Sequence, residues 1–408
     1  MLMIVATAWR NLWRNVRRTV ILLSGVSVGL FGVLFYIGFV NAYFEQMKEN
    51  AVATLTGHVK VNAPGYQENP SPSKNIPADE DLLAELRKDP LIQGAASRVI
   101  GVAMAANPER TEQVTLVGVM ADEEASISAV PGGVTQGRWL RDGEDRALVV
   151  GEAFLKRYKT KLDRRVVLMA YNSQGDIASE AFKIVGAFKT DTEMFDEQHV
   201  YTSLSEAQKF FALGDRVTEH TIVGVNINDA PVVREKVAAK FDPKTYQVQA
   251  WTELVPLLTD MMELTKSTLW IFYGVFYLAM GFGIANTFLM VVHERTRELG
   301  VMLALGVSKG LIMGMMMIEA VLVAIAGAIV GGGISIAVVA YFAKVGLDFS
   351  FAAEGMEMWG GAGIMYPYLT ADNLALVMSL TVAIAVVMSL YPAWLASRVH
   401  PVEAIRSL

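Results

Sequence analysis

The 408-residue sequence contains no cysteine. Disulfide bonds, thiol chemistry and cysteine-ligated metal sites are therefore excluded. Histidine is also scarce, because the chain has only five, and no two of them have the HxxxH or HxH spacing of a metal-binding pair. No GxSxG turn or comparable nucleophile motif is present either. We therefore predict neither a metal site nor catalytic residues, so the chain is not expected to be an enzyme.

Charged side chains are few, at 19% of residues, against roughly 25% in an average soluble domain. Hydrophobic residues make up 53%, and the net charge of −6 gives no reason to expect nucleic-acid binding. The chain also lacks a GxxxxGK[ST] motif, so it cannot bind ATP through the usual phosphate loop. This composition predicts a membrane protein that carries no cofactor and takes any energy from another chain.

Four stretches without a charged side chain are each long enough to cross a membrane, which needs about 20 apolar residues. They lie at 19–44, 267–293, 320–343 and 373–397. We predict that the third span is longer than its uncharged stretch and begins at 310. The predicted spans are therefore 19–44, 267–293, 310–343 and 373–397. The fold class is therefore a membrane protein of four transmembrane α-helices, arranged as one plus three, with a large insertion between the first two.

The placement of Lys and Arg predicts the orientation of these spans. Basic residues cluster before the first span, between the second and third, and after the fourth: Arg10, Arg14, Arg17, Arg18; Arg295, Arg297, Lys309; Arg398, Arg406. Both termini, including the tail 398–408, are then cytoplasmic in a bacterial inner membrane. Residues 45–266 and the loop 344–372 are predicted to be periplasmic.

Residues 1–18 have the periodicity of an amphipathic helix. Trp9 and Trp13 share an apolar face with Val5, Leu12 and Val16, and the four N-terminal arginines lie opposite. Such a helix lies in the membrane interface, with the Trp rings at headgroup depth and Arg towards anionic lipid. The alternative is a topology signal with no further role.

Small residues recur inside two spans as GxxxG steps, at Gly25 and Gly29 and at Gly327 and Gly331. Such steps let helix backbones approach closely. The pattern leaves open whether the partner helix belongs to this chain or to a second copy.

Residues 45–266 read as an α+β domain, because most of its segments alternate apolar and polar residues and suit a sheet with one solvated face. Strands are predicted at 58–61, 97–105, 112–119, 146–150, 165–171, 180–188, 198–202, 220–227 and 246–251. We predict a distal lobe at 108–218 and a proximal lobe at 50–107 and 219–252. A helix capped by Thr252 is expected to run into the second span without a break.

The segment 294–309 between the second and third spans is predicted to form a short helix that is apolar nearly all round. Such a helix should not face water, so a partner protein with a groove is expected to cover it. The alternative is the bent start of the third span. The residues assigned to this coupling site are Glu294, Arg295, Arg297, Glu298, Leu299, Gly300, Met302, Leu303, Ala304 and Gly306.

Three stretches carry a resemblance to a known family. ERTRELGVMLALG resembles the coupling-helix motif of the FtsX/MacB-type permeases of ABC transporters, although Leu303 stands where the motif often has a basic residue. The stretch beginning at Glu319 is similar to the third span of that family, and the C-terminus matches its closing pattern at Pro392, Pro401 and Arg406. GHVKVNAPGY and GLDFSFAAEGMEMWGGAGIMYPYL look most like the lipoprotein-releasing LolC/LolE branch.

This resemblance implies a permease subunit that works with other chains. A cytoplasmic ABC ATPase dimer would hold ATP and Mg and would move the coupling helix. A second copy or a related permease would complete the membrane part, and a periplasmic cargo or carrier would meet the outer domain. The implied function is extraction of lipoproteins or lipids from the outer leaflet. The alternatives are FtsX-like control of an envelope enzyme and MacB-like efflux.

Overall fold

The computed structural model describes residues 10, 14, 16–107, 110–349 and 364–400. The chain divides into two compact units. Of the described residues, the helical unit contains those up to 44, 262–348 and 364–400, and the large domain contains 45–107, 110–261 and 349.

Helices and strands alternate through the large domain, between the long first and second membrane helices. In chain order, the elements up to the second membrane helix are α1 (Val16–Ala51), β1 (Val59–Asn62), α2 (Glu80–Leu86), β2 (Ile92–Ala106), β3 (Thr111–Val119), α3 (Ala121–Ile127), β4 (Val134–Gly137), β5 (Ala147–Gly151), α4 (Glu152–Arg157), β6 (Arg165–Tyr171), β7 (Ile177–Phe188), α5 (Glu193–Gln198), β8 (His199–Ser203), α6 (Leu204–Phe210), β9 (Glu219–Gly224), α7 (Ala230–Ala238), β10 (Gln247–Ala250), α8 (Trp251–Leu254) and α9 (Pro256–Glu294).

The remaining elements belong to the helical unit. They are α10 (Thr296–Ala304), α11 (Lys309–Val345), β11 (Leu347–Asp348), β12 (Ile364–Met365) and α12 (Ala371–Ser397). The four helices α1, α9, α11 and α12 are long and apolar enough to cross a membrane. This confirms the predicted four spans in a one-plus-three arrangement.

The second spanning helix does not begin where the sequence predicted. Thr252 lies inside the short helix α8, which is followed by Val255 with φ −124° and ψ 65°, and α9 then starts at Pro256. A residue that precedes proline is pushed out of the helical region by the proline ring, so the break falls at Val255. The predicted cap at Thr252 and the unbroken helix from that residue are therefore wrong.

A ten-stranded sheet forms the centre of the large domain. Its order is β10-β1-β9-β2-β3-β8-β5-β7-β4, and β6 pairs with both β2 and β7. Strands β2, β3, β8, β5, β7 and β6 therefore close into a ring, which removes the exposed edges that those strands would otherwise have. Strand β4, which the sequence did not predict, ends the sheet beside β7.

Several hydrophobic clusters pack against this sheet, and two of them follow its two parts. The ring is filled by fully buried side chains from all six of its strands, among them Val99, Leu116 and Phe182. The antiparallel part β10-β1-β9-β2 packs against α2 and α7 through residues such as Leu83 and Val233. Strand β2 contributes to both of these cores, so one continuous strand joins them.

In the helical unit, α1 packs closely on α11. The Oγ of Ser27 donates a hydrogen bond of 3.2 Å to the carbonyl oxygen of Gly327. A Cβ at Gly331 would lie 2.7 Å from the carbonyl oxygen of Ser27 and 2.8 Å from its Cα, so the two backbones leave no room for a side chain. These glycines therefore serve a contact between two helices of this chain.

The two glycines of the GxxxG step in α1 have different surroundings. A Cβ at Gly29 would lie 2.7 Å from the ring of Phe276 on α9, whereas one at Gly25 would meet nothing within 4 Å. Among the described residues, Gly29 therefore packs against a neighbouring helix, whereas Gly25 has no such contact.

Hydrogen bonds tie α12 to its neighbours inside this unit. The hydroxyl of Tyr277 on α9 donates to the carbonyl oxygen of Val377 at 2.8 Å. The amide of Asn41 on α1 donates to Oδ1 of Asn373 at 3.0 Å. Because lipid offers no competing partner, such polar contacts orient helices that apolar packing alone would leave free to rotate.

We expect Gly331→Val to lower the thermal unfolding temperature of the purified chain in detergent. Overpacking of a filled interface costs about 1–3 kcal/mol, and the atoms in the way are backbone atoms of Ser27 that cannot turn aside. Gly333→Val is the matched control, because that position on the same helix is exposed and open. Equal losses in the two variants would contradict the packing argument.

Candidate functional site

The link between α9 and α11 is a short helix set between two breaks. Arg295, with φ −104° and ψ 12°, separates α9 from α10. Gly306, with φ +91°, follows the end of α10, in a conformation that glycine adopts without strain. The side chain of Ser308 then accepts a hydrogen bond from the amide of Leu311 and caps α11. The predicted helix over 294–309 is thus shorter, at Thr296–Ala304.

One face of α10 is covered by the chain itself. Leu299 is fully buried, and it belongs to a hydrophobic cluster that includes Val292 at the end of α9, Ile312 at the start of α11, and Ala393 of α12. Gly300 is also buried. The expectation that a partner protein covers this helix is therefore wrong for this face, because the ends of three spanning helices cover it.

The opposite face of α10 is open. Leu305 is 80% exposed and Val301 41% exposed, although both side chains are apolar. Ala304 and Gly306 are exposed as well, while Met302 and Leu303 are half-buried. The exposed apolar surface that a partner could cover, here called the docking face, is therefore centred on Val301 and Leu305.

Ion pairs join the charged residues around α10. The Nη2 of Arg14 lies 2.7 Å from Oε1 and 2.8 Å from Oε2 of Glu298. The Nε of Arg295 donates to Oε2 of Glu298 at 3.1 Å, and its Nη1 donates to Oε2 of Glu319 at 3.3 Å. The hydrogen bond from Arg14 holds the pKa of Glu298 below its usual range, with a smaller contribution from Arg295. Glu298 therefore remains ionised at neutral pH.

The pair formed by Arg295 and Glu319 is buried. The exposed fractions of these side chains are 8% and 1%, respectively. A buried charge is stable only when it is paired with an opposite charge, so loss of either side chain would leave the other as an unpaired buried charge. The sequence assigned Arg295 to docking and Glu319 to a family pattern, and the structure brings them together as one internal contact.

Several of the other residues assigned from the sequence lie at the surface. Arg297 and Glu294 are exposed, as are Arg10 and Arg17, whereas Pro392 is buried within α12. Beside it, the guanidinium of Arg398 stacks over the ring of Trp394 at 4.2 Å. The side chain of Arg18, most of the predicted interfacial helix 1–18 with Trp9 and Trp13, and the closing residues Pro401 and Arg406 lie outside the described residues.

An apolar groove runs between α1 and α9, with a volume of about 620 Å³. Small residues open it, since Ser24, Gly25 and Gly29 on one side face Gly283 on the other, and Phe276 and Met280 complete its walls. Gly25, where a Cβ would meet nothing within 4 Å among the described residues, is part of its lining. The sequence did not lead us to predict this groove, although the small residues of α1 and α9 could have indicated it.

Potential metal ligands and histidines were located among the described residues of the large domain. None of its His, Asp and Glu side chains form a group of three that could hold a metal ion. Burial lowers the pKa of His199 and of His220 to about 4, so both imidazoles are neutral at pH 7. The Nδ1 of His220 lies 3.0 Å from the hydroxyl of Ser97 within the core. His220 is therefore a core residue, and His199 is half-buried against the ring of Phe195.

Comparisons with known families match both parts of the chain. A model of the FtsX-like permease C-terminal family matches residues 270–401. A model of the MacB-like periplasmic core domain matches residues 19–244, which is more than half of the chain. A solved structure of the periplasmic region of MacB from Actinobacillus actinomycetemcomitans covers 52% of this chain and 97% of its own, with 16% identity and a TM-score of 0.36.

Several curated proteins are similar over most of the chain. The lipoprotein-releasing system transmembrane protein LolC of Neisseria meningitidis is 20% identical over 406 residues, covering 95% of this chain and 94% of that protein. The pyoverdine export ATP-binding/permease protein PvdT of Pseudomonas fluorescens is 24% identical over 427 residues, covering 99% of this chain and 59% of that protein. The macrolide export ATP-binding/permease protein MacB of Neisseria meningitidis is 32% identical over 129 residues, covering 30% and 20%.

We expect Glu319→Ala to destabilise the chain strongly, because it leaves Arg295 as an uncompensated buried charge. Breaking one side of such a pair costs about 3–5 kcal/mol, which thermal unfolding in detergent would detect. The double variant Arg295→Met with Glu319→Leu is the control, since it removes both charges and should recover most of the lost stability. A double variant as unstable as Glu319→Ala would refute this account.

Proposed function

The chain belongs to the FtsX/MacB-type permeases of ABC transporters, and on that premise we propose that it extracts lipoproteins or lipids from the outer leaflet of the bacterial inner membrane. In this proposal a separate ATPase hydrolyses ATP and drives movement of the large domain, which is periplasmic. The observation that carries the proposal is the docking face of α10, an exposed apolar surface in a chain that has no phosphate loop of its own.

The docking face meets the requirements of a protein contact. Exposed apolar residues such as Val301 and Leu305 are costly in water, and a partner with an apolar groove removes that cost. In the proposed orientation, α10 and both termini are cytoplasmic, because basic residues such as Arg14, Arg297 and Arg398 lie at that side. The partner is then a cytoplasmic ATPase, which holds the ATP and Mg.

Helix continuity supports transmission of the movement. Helix α1 continues as far as Ala51 and α9 starts at Pro256, so each helix includes residues of the helical unit and residues of the large domain. Hydrogen-bonded helices resist bending along their length, and a displacement at one end is therefore carried to the other.

The groove between α1 and α9 supports a role for an acylated or lipid substrate. Its lining is apolar, and the small side chains of Gly25, Gly29 and Gly283 leave space beside the helices. Large apolar side chains such as Ile21, Phe272 and Phe282 remain exposed on the same two helices. These surfaces suit lipid or a second permease subunit, with which the chain is proposed to form a dimer.

Lipoprotein release is preferred because the similarity to LolC extends over nearly the full length of both chains. Export is the second candidate, favoured by the similarity to PvdT, which covers nearly all of this chain. The two proposals differ in the substrate, since export requires no acyl anchor. They share the docking face and the ATPase.

We expect Leu305→Asp to weaken binding of the ATPase while the permease stays folded. Loss of an apolar anchor at the centre of a contact costs about 2 kcal/mol or more, or roughly 30-fold in affinity. Affinity would be measured with the complex in detergent. Leu264→Asp is the control and should bind normally, since it changes a leucine that is 67% exposed near the start of α9.

Leu299→Asp should behave differently, because it would place a charge in the buried cluster beneath α10. It is expected to lower the unfolding temperature of the permease itself. Normal ATPase binding by Leu305→Asp would contradict the assignment of the docking face.

Substrate release tests the transport proposal directly. The permease and its ATPase in nanodiscs should transfer an acylated protein to a soluble acceptor when ATP is present, and should leave the same protein behind without its acyl chains. A complex that hydrolyses ATP but releases none of a panel of lipoproteins would refute the proposal. Stimulation of hydrolysis by a soluble non-acylated compound in the same complex would favour export.

A further inference from the structure

Asn286 is a polar side chain in the membrane-spanning part of α9. At ~1.5 Å per residue it lies roughly 10 Å inside the C-terminal end of the charge-free stretch 267–293. Its side chain is exposed, and it forms no hydrogen bond with any other described residue. The predicted topology puts the remaining residues of the chain outside the apolar layer. Because lipid chains offer an amide neither donor nor acceptor, an unpaired amide at this depth is strongly unfavourable.

Asn286 belongs to the face of α9 that is turned away from the chain's own helices. Val275 and Phe282 precede it by 11 and 4 residues, which are spacings of one helix face. These two side chains are 66% and 68% exposed. Ile284 and Phe288, two residues to either side of Asn286, are buried in the cluster that joins the spanning helices. We call Val275, Phe282 and Asn286 the outer face of α9.

A second copy of the chain offers the hydrogen bonds that Asn286 lacks. An amide has both donors and an acceptor, so two identical Asn side chains are electrostatically complementary to each other. Copies of one chain have the same orientation in a membrane, and a twofold axis perpendicular to the membrane brings the same residue of each copy to the same depth. A single Asn in an apolar helix interface also fixes the register of the two helices.

Small residues beside Asn286 allow such an approach. Ala279 is exposed and precedes Asn286 by seven residues, so it lies on the same side of α9. A Cβ at Gly283 would meet nothing within 4 Å. Close approach of two helices in a membrane depends on residues of this size. The outer face therefore combines space for a second helix with an amide that needs one.

We propose that Asn286 exchanges hydrogen bonds with the same residue of a second copy, and that this amide pair sets the point at which two α9 helices cross. The inference rests on the proposed function, in which the chain forms a dimer, and it assigns a residue to that contact. Crossing helices diverge away from the point of contact. Leu264, at ~1.5 Å per residue roughly 33 Å along α9 from Asn286, therefore lies outside this contact.

The substitution Asn286→Leu tests the amide in the full chain, without ATPase or substrate. Leucine is similar in size but forms no hydrogen bond. Self-association in lipid vesicles, measured by energy transfer between labelled copies as the protein is diluted with lipid, should weaken about three- to thirtyfold, the effect of one interhelical hydrogen bond in a membrane. Asn286→Gln retains an amide and should recover most of the affinity, which a purely steric role of the residue would not explain.

Ser379→Ala is the control for loss of an exposed polar group from a span. Its hydroxyl on α12 already donates to the carbonyl oxygen of Leu376 at 2.8 Å, so it needs no second copy. This variant should associate as the unsubstituted chain does. An affinity of Asn286→Leu equal to that of Ser379→Ala would overturn the inference, and so would an unsubstituted chain that stays monomeric.

Cysteine cross-linking tests which face of the chain meets the second copy. Because the chain has no cysteine, Ala279→Cys places one thiol beside the outer face. Oxidation in vesicles should link most copies, since a disulfide needs Cα atoms within about 7 Å. Ala383→Cys is the control, an exposed alanine at a similar distance from the end of its span in α12. Equal cross-linking of the two variants would report random collision and overturn the assignment.

These measurements separate the inference from the transport proposal. A dimer that depends on Asn286 in a chain that releases no lipoprotein would support the amide pair and refute lipoprotein release. ATP-dependent release by a chain whose Asn286→Leu variant associates normally would support transport and overturn the amide pair alone.

Discussion

A buried ion pair determines the arrangement of the candidate coupling site. Arg295 lies at the break between α9 and α10, and its guanidinium is held by Glu319 inside α11. Because neither charge can be left alone in that surrounding, the pair fixes where the chain turns and which face of α10 turns inward. Leu299 is then directed into the cluster formed by the ends of α9, α11 and α12. Val301 and Leu305 remain outside as a consequence.

Close packing between helices adds to the effect of this buried ion pair. In a lipid environment apolar side chains gain little from helix association, so contact depends on how closely backbones approach. Gly327 and Gly331 allow α1 to reach α11 at Ser27, and Gly29 accommodates the ring of Phe276. Where a small residue has no partner, as at Gly25, the same feature leaves a groove. Glycine therefore accounts both for the close contact between α1 and α11 and for the open groove beside Gly25.

The large domain is organised by a different constraint, the need to pair the edges of its sheet. Strand β6 closes the ring by pairing with β2 and with β7, and the enclosed core has side chains from every strand of that ring. Strand β2 continues beyond the ring to β9, so it also belongs to the second core. A strand shared in this way joins the two cores within one domain.

The sequence by itself determined the membrane class, the four spans, most of the strands and the family. These follow from hydropathy, period-two alternation and local motifs, which are readable because they depend on neighbours along the chain. Strand β4 was missed because VTQG, residues 134–137, has neither strong alternation nor strand-forming side chains apart from Val and Thr. The break at Val255 was missed although its cause, the following Pro256, is local.

Only the tertiary structure decided which residues of the coupling segment face inward. Leu299 and Leu305 are the same residue type in one apolar stretch, yet one is fully buried and the other is 80% exposed. That difference depends on where α11 and α12 end, and on the pairing of Arg295 with a carboxylate 24 residues away. Contacts between elements distant in sequence leave no periodic signal, so the buried ion pair, the bond of Arg14 to Glu298 and the groove beside Gly25 required the folded chain.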